Sequence, residues 1–217
     1  RDGLTLGELP PGARVGTGSP RREVQVRALD FGLAITPIRG NVETRIGLVA
    51  SGALDAVILA WAGLRRMGLA ERATEVLDPI VMLPAAGQGA LAIECRADND
   101  QLIAILREID DPDTRLCTTA ERTVLRELEA GCIAPVGVLG EVVDSEDGLE
   151  LSLRAFVGSR DGSVELRRSL HGPADDPEGL ARALAQILLK DGAAQARIPR
   201  PGAPGIEPTP VTDATKD

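Results

Sequence analysis

Apolar and polar positions in the first third of the chain switch between two periods. A short apolar run at Ala13–Thr17 closes on glycine and predicts a strand. Ser19–Asp30 then repeats apolar residues at helical spacing (Val24, Ala28, Phe31), with Ser19 placed as the cap and Pro20 in the first helical position. Ala34–Ile38 predicts a second strand, closed by Arg39-Gly40. Asn41 is placed to cap a helix through Ala50, with Val42, Ile46 and Val49 on one face. Asp55–Ala60 predicts a third, buried strand, followed by a helical turn through Arg65. Strands alternating with helices of about ten to twelve residues mean βαβ units and a parallel sheet.

The pattern changes after the Pro- and Gly-punctuated stretch 79–89. Ala90–Cys95 predicts another buried strand, and Asn99–Ile109 a helix. A longer helix from Asp113 to Glu129 carries Leu116, Ala120, Val124 and Leu128 in a stripe, with Gly131 in the position of its C-cap. Val136–Val143, Leu149–Val157 and Ser163–Leu170 predict three strands separated by tight turns, His171-Gly172-Pro173 a further turn, and Pro177–Lys190 a final helix. The order αβββα defines a small α+β domain. From Ile198 onward the chain is rich in Pro and poor in apolar residues, the composition of a disordered tail.

Composition narrows the function classes. Of 217 residues, 43% are hydrophobic and 26% charged, the balance of a globular protein. One Trp, two Phe and no Tyr leave no stacking platform for single strands, and a net charge of −9 opposes nucleic-acid binding in general. No transmembrane helix or signal peptide is written in the chain. Three cysteines without a CxxC pair argue against a disulfide framework and a zinc ribbon and indicate a reducing compartment, and a single histidine argues against a transition-metal site and a Ser-His-Asp arrangement.

The charge is unevenly spread. Between Arg14 and Arg72 nine Arg face five Asp and Glu; from Ala73 onward fourteen basic residues face twenty-six acidic ones. The first third is therefore the natural place for an anion, although solvated helix faces account for charge alone equally well. Its basic residues sit at joints. Val15-Gly16-Thr17-Gly18-Ser19-Pro20-Arg21-Arg22 and Ile38-Arg39-Gly40-Asn41-Val42-Glu43-Thr44-Arg45 each run from a strand end into a helix N-terminus, where free N–H groups favour anions. Arg65-Arg66 follows the third strand. Three arginine groups after successive parallel strands point to a polyanionic ligand, with carboxylates held by paired guanidinium hydrogen bonds. Cys95 and Cys117 read as small core residues. Cys132, on a loop after Gly131, suits either packing or covalent chemistry. Gly87-Gln88-Gly89 suits either a close approach to ligand or a bend between domains.

Taken in order, Gly16-Thr17 with Ser19 and Arg21-Arg22, Arg39-Gly40-Asn41 through Arg45, Asp55-Ala56 to Ala62-Gly63-Leu64, Leu83-Pro84-Ala85 with Gly87-Gln88-Gly89, and Glu129-Ala130-Gly131-Cys132 before Pro135 resemble the porphobilinogen deaminase (hydroxymethylbilane synthase) family. The resemblance covers residues 1–197. It implies an α/β fold with a periplasmic-binding-protein-like domain over 1–83, a segment at 84–111 returning to a further domain, and a C-terminal α+β domain over 112–197. Residues 198–217 form the tail. It further implies a cytoplasmic, monomeric transferase of tetrapyrrole biosynthesis that joins four porphobilinogen units with loss of ammonia, building oligopyrrole intermediates on a dipyrromethane cofactor. The family pattern places that cofactor on Cys132 through a thioether, with Thr17, Ser19, Arg21, Arg22, Arg39, Gly40 and Arg45 around it. Arg39, Arg45, Arg66 and Gln88 fall at substrate positions, and no metal is called for. Gly18 stands where many members have a second Ser. The family's catalytic aspartate lies in a Lys-Asp-x-Pro context that this sequence lacks, so the chain alone is expected to be inactive. A non-enzymatic anion-binding module of the periplasmic-binding type is the rival reading; it accounts for the arginines and not for the Gly-Cys loop.

Overall fold

The computed structural model describes residues 2–131, 134–146 and 148–196. Cys132 and the Pro-rich segment 198–217, on which two expectations fall, lie outside the described residues.

Two sheets organise the chain. The first is parallel, with β1 (Arg14–Thr17) between β2 (Ala34–Pro37) and β3 (Ala56–Val57). Register runs Arg14↔Ala34 to Thr17↔Pro37 on one side and Val15↔Ala56, Gly16↔Val57 on the other. Crossover helix α1 (Pro20–Ala28) leads from β1 to β2, and α2 (Val42–Ala50) from β2 across to β3. The chain thus winds away from β1 in both directions, which makes the carboxyl end of β1 a topological switch point and opens a crevice there. Both crossovers begin as the sequence dictates. Ser19 Oγ accepts from the Arg22 N–H at 3.4 Å, with Pro20 in the first helical turn, and Asn41 Oδ1 accepts from the Thr44 N–H at 2.8 Å. Val15 is fully buried, packed with Leu6, Leu9 and Ala13. A short helix α3 (Trp61–Arg66) follows β3.

The second sheet is an antiparallel meander, β4 (Val136–Ser145), β5 (Gly148–Gly158) and β6 (Glu165–Pro173), in that spatial order. Helices α5 (Pro112–Glu127) and α6 (Pro177–Lys190) cover one face. The main core lies between them: Val124 from α5, Leu151, Leu153 and Val157 from β5, Leu184 and Leu188 from α6, all without exposed surface. Burying each such side chain stabilises the fold by about 1.5–3 kcal/mol. The predicted αβββα order is the one observed. Among the described residues no helix is long and apolar enough to cross a membrane.

Several expectations are corrected. Ala90–Cys95 forms no strand: Leu91 is 92% exposed, Ile93 60%, and Cys95 is exposed instead of packed. An apolar run becomes a strand only where another strand completes its ladder, and no described strand lies beside this one. Helix α4 (Asp100–Arg107), next along the chain, likewise presents Ile105 to solvent. The Asp55–Ala60 run is in ladder only at Ala56–Val57. Helix α1 stops at Ala28, leaving Phe31 exposed. Helix α5 ends at Glu127, and the left-handed residue after it is Glu129, at φ 51°, not Gly131. His171 lies inside β6 opposite Ser152, and the Gly172-Pro173 pair ends that strand instead of turning it.

The two sheets meet through the segment 80–84. Leu83 is buried against Val24 of α1 and Phe156 of β5. The Val138 N–H donates to the Pro84 carbonyl at 2.9 Å, and Arg167 donates to the Ile80 carbonyl at 3.1 Å while lying 4.8 Å from the Phe156 ring centroid. Gly137 makes this approach possible: a Cβ there would meet Leu83 Cβ at 2.8 Å and its carbonyl oxygen at 3.0 Å. Gly137→Ala is therefore expected to destabilise the chain by about 1–3 kcal/mol through overpacking. Urea denaturation measures this, and an unchanged midpoint would contradict the close packing of the joint.

Candidate functional site: an arginine-lined crevice

The carboxyl ends of β1 and β2 abut at the switch point. A Cβ on Gly18 would meet the Ile38 carbonyl oxygen at 2.5 Å, so glycine lets the two strand-to-helix joints touch. Thr17 is buried, and its Oγ1 accepts from the Ser19 N–H at 3.2 Å. Both the Thr17 and Ser19 hydroxyls are thus used as acceptors, which leaves each hydroxyl proton to donate. Gly40, at φ 115°, takes a conformation that side chains disfavour where the second joint turns into α2.

The arginines divide into three kinds. Arg22 is half-buried, with one N–H on the Ile58 carbonyl at 3.2 Å. Burial holds its guanidinium below the ordinary value, and the positive charge of Arg45 adds to that. Arg45 comes from α2, so the two joints bring like charges together. Its Nε is buried and has no hydrogen-bond partner. Arg39 and Arg66 are exposed. Among the described residues, Arg39, Arg45 and Arg66 make no ion pair. Arg66 sits in the last turn of α3, away from that helix's start at the strand end, so the third basic pair is less closely grouped than its spacing predicts.

Arg21 is of the third kind. It is only 5% exposed; it donates through Nη1 to the Leu83 carbonyl and through Nη2 to Gln88 Oε1 at 3.0 Å. Burial, with a further push from Arg22, brings its pKa down to about 10, which still leaves it cationic at neutral pH. Arg21, Arg22 and Gln88 line a cavity of about 720 Å³ with apolar walls that include Ile46, Val49, Ile58 and Leu64; Arg72 and the carboxylates of Asp2 and Glu75 also face it, whereas Thr17, Ser19, Arg39, Gly40, Arg45 and Arg66 lie outside its lining.

Two residues of this neighbourhood carry no signal strong enough to be singled out from sequence. Gln25, fully buried on α1, pairs with the backbone of Leu83. Glu121, 5% exposed on α5, accepts from the Gly87 N–H at 2.6 Å and the Gly140 N–H at 2.8 Å, and so ties the Gly87-Gln88-Gly89 bend to β4. Its trace in the sequence is a carboxylate next to Ala120 on the apolar stripe of α5. Burial raises the Glu121 carboxyl against the opposing pull of the two N–H donors. Cys117, one turn earlier, is half-buried beside the core; burial and then the Glu121 charge raise its thiol. Among the described residues no group of His, Cys, Asp or Glu is placed to hold a metal ion.

Comparison with known proteins agrees with this arrangement. The family model "Porphobilinogen deaminase, dipyromethane cofactor binding domain" matches residues 1–104, and "Porphobilinogen deaminase, C-terminal domain" matches 115–190. Porphobilinogen deaminases of Mycobacterium bovis and Mycobacterium tuberculosis are each 54% identical over 198 residues, covering 89% of this chain and 64% of their own length. That of Mycobacterium avium is also 54% identical over 198 residues, 63% of its length. The chain therefore belongs to the porphobilinogen deaminase family and includes the domain named for its dipyrromethane cofactor. It spans a little under two thirds of the length of these relatives.

The Glu121 carboxyl gives a test of the bend. A carboxyl whose folded pKa lies above its ordinary value of 4.5 contributes its full stability below that value and loses it as pH rises through the folded pKa. Glu121→Gln removes the titration. The stability of the natural chain relative to this variant is expected to be greater at pH 4 than at pH 7, read from urea midpoints; a difference flat with pH would contradict the buried placement.

Proposed function

We propose that this chain carries the cofactor-binding and substrate-carboxylate-binding part of a hydroxymethylbilane synthase, a transferase of tetrapyrrole biosynthesis acting on porphobilinogen and oligopyrrole intermediates. The observation that carries this reading is the meeting of Arg22 and Arg45 at the switch point. The Arg45 charge reaches the half-buried Arg22 guanidinium, the Arg45 Nε is buried without a partner, and no carboxylate pairs with Arg45 among the described residues. An anion relieves both the like-charge repulsion and the unmet donor. A dipyrromethane bearing acetate and propionate groups has the charge and length to do so, and the apolar walls of the cavity beside Arg21 and Arg22 suit its rings.

The roles follow from burial. Arg22 and Arg45, partly withdrawn from water, hold the cofactor's carboxylates, with the Thr17 and Ser19 hydroxyls donating beside them and the bare backbone of Gly40 allowing close approach. Arg39 and Arg66, exposed, take carboxylates of the incoming substrate and the growing chain. Arg21 and Gln88 stand as a hydrogen-bonded pair at the cavity wall. When bound, the cofactor supplies the nucleophilic pyrrole carbon on which the product is built; the protein's arginines orient carboxylates and hold reacting units in line. We assign the anchoring thiol to Cys132 from the Glu-Ala-Gly-Cys motif. Cys117 is withdrawn into its helix packing, whereas exposure of Cys95 removes burial as a reason to exclude it, so motif alone separates Cys95 from Cys132. We place the protein in the cytoplasm as a monomer that binds no nucleic acid. With no Lys-Asp-x-Pro segment in its sequence, the 217-residue chain holds ligand and does not turn it over.

Three measurements check this. Arg22→Leu and Arg39→Leu should each weaken porphobilinogen binding by roughly 10- to 150-fold, the equivalent of about 1.5–3 kcal/mol for a charge-assisted contact, with the helical circular dichroism unchanged. Natural affinity in both variants returns these arginines to solvated surface. Incubated with porphobilinogen, the purified 217-residue chain should release no hydroxymethylbilane; measurable product contradicts the division of labour. In a chain extended to include the family's aspartate, peptide mapping should find the cofactor mass on the peptide of Cys132, and its appearance on Cys95 or Cys117 would overturn the anchor.

A further inference from the structure

Gln25 has no exposed surface, yet every polar atom of its side chain is used. Its Oε1 accepts from the Leu83 N–H at 2.8 Å, and its Nε2 donates to the Leu83 carbonyl at 3.0 Å and to the Arg21 carbonyl at 3.4 Å. The side-chain amide thus pairs with both backbone groups of one residue, Leu83, as a neighbouring strand would. Position 25 lies one helical turn beyond position 21, so both side chains share a face of α1. They also share an acceptor, because Arg21 Nη1 donates to the same Leu83 carbonyl. Arg21 Nη2 then reaches Gln88, five residues further along the same segment.

A guanidinium on a flexible stem is directed only when some of its five N–H groups are fixed; Arg21 spends one on Leu83 and one on Gln88 and keeps three. The first anchor is the residue that Gln25 holds; the second lies in the bend that Glu121 ties to β4. We propose that Gln25 is a positioning residue of the carboxylate site: by fixing the Leu83 backbone, whose carbonyl also accepts from Arg21, it sets the direction in which Arg21 faces the cavity. This rests on the carboxylate-binding function proposed above. The choice of an amide is part of the device. A neutral group can share the Leu83 carbonyl with Arg21, whereas a carboxylate at the same place would draw the guanidinium to itself.

Gln25→Met and Gln25→Glu separate this role from packing. Met keeps the length and apolar bulk and removes the amide. In Gln25→Met, amide hydrogen exchange at Leu83 should quicken at least tenfold, while β1 and α6 keep their protection. Porphobilinogen, titrated calorimetrically, should bind at least tenfold more weakly. Gln25→Glu retains an acceptor for the Leu83 N–H, so that amide should stay protected while affinity still falls at least tenfold. Should Gln25→Met fail to fold, Gln25→Glu decides alone. Natural affinity in either folded variant, or natural exchange at Leu83 in Gln25→Met, overturns the proposal. A natural chain that takes up no porphobilinogen overturns the carboxylate reading, and this role with it; natural binding combined with unaffected variants overturns the role alone.

Discussion

The backbone of one residue, Leu83, joins the two halves of this structure. The Leu83 N–H and carbonyl are satisfied by Gln25, the carbonyl again by Arg21, and the side chain is buried between Val24 and Phe156. The next carbonyl, of Pro84, accepts from β4. A buried peptide group without partners costs about as much as the hydrogen bonds it loses, so segment 80–84 has few alternatives once α1 and the meander are formed. The parallel sheet and the antiparallel sheet therefore approach in one way. Gly137 and Gly158 mark how close that is: an added Cβ would run into Leu83 at the first and into Val24 and Phe156 at the second.

The crevice depends on this joint and resists it electrostatically. Arg21, Arg22 and Arg45 are gathered where burial lowers Arg21 and Arg22, and each of these two is further lowered by a neighbouring positive charge. A fold that only needed to be stable would not collect cations there. Arg21 is partly compensated by neutral acceptors, Leu83 and Gln88; Arg45 keeps a buried Nε without one. The uncompensated remainder is what an anionic ligand would meet. The same physics places Glu121, buried, on two backbone N–H groups that steady the Gly87-Gln88-Gly89 bend from the other domain.

What was legible in the sequence was local. The caps at Ser19 and Asn41, the βαβ alternation, the three-strand meander and the final helix at Pro177–Lys190 follow from residues a few positions apart, and the structure places them as expected. The two arginine-bearing joints were legible for the same reason. What failed depended on distant partners. Ala90–Cys95 has the composition of a strand and nothing described to pair with, so it lies exposed. Gln25 and Leu83 are 58 residues apart, and no periodicity links a glutamine on a helix to the backbone of a residue in a loop. Arg21 has the charge and position of a ligand-binding group, yet its burial against Leu83 is set by tertiary packing alone.

The central claim is that the Arg22–Arg45 crevice recognises carboxylates. Calorimetric titration of the chain with porphobilinogen, and in parallel with its dimethyl ester, tests this most directly. The ester keeps the pyrrole ring and side-chain lengths and removes both negative charges. The account predicts saturable binding of the diacid, weakened by added salt, and affinity for the ester at least tenfold lower. Equal affinity for the two would contradict it.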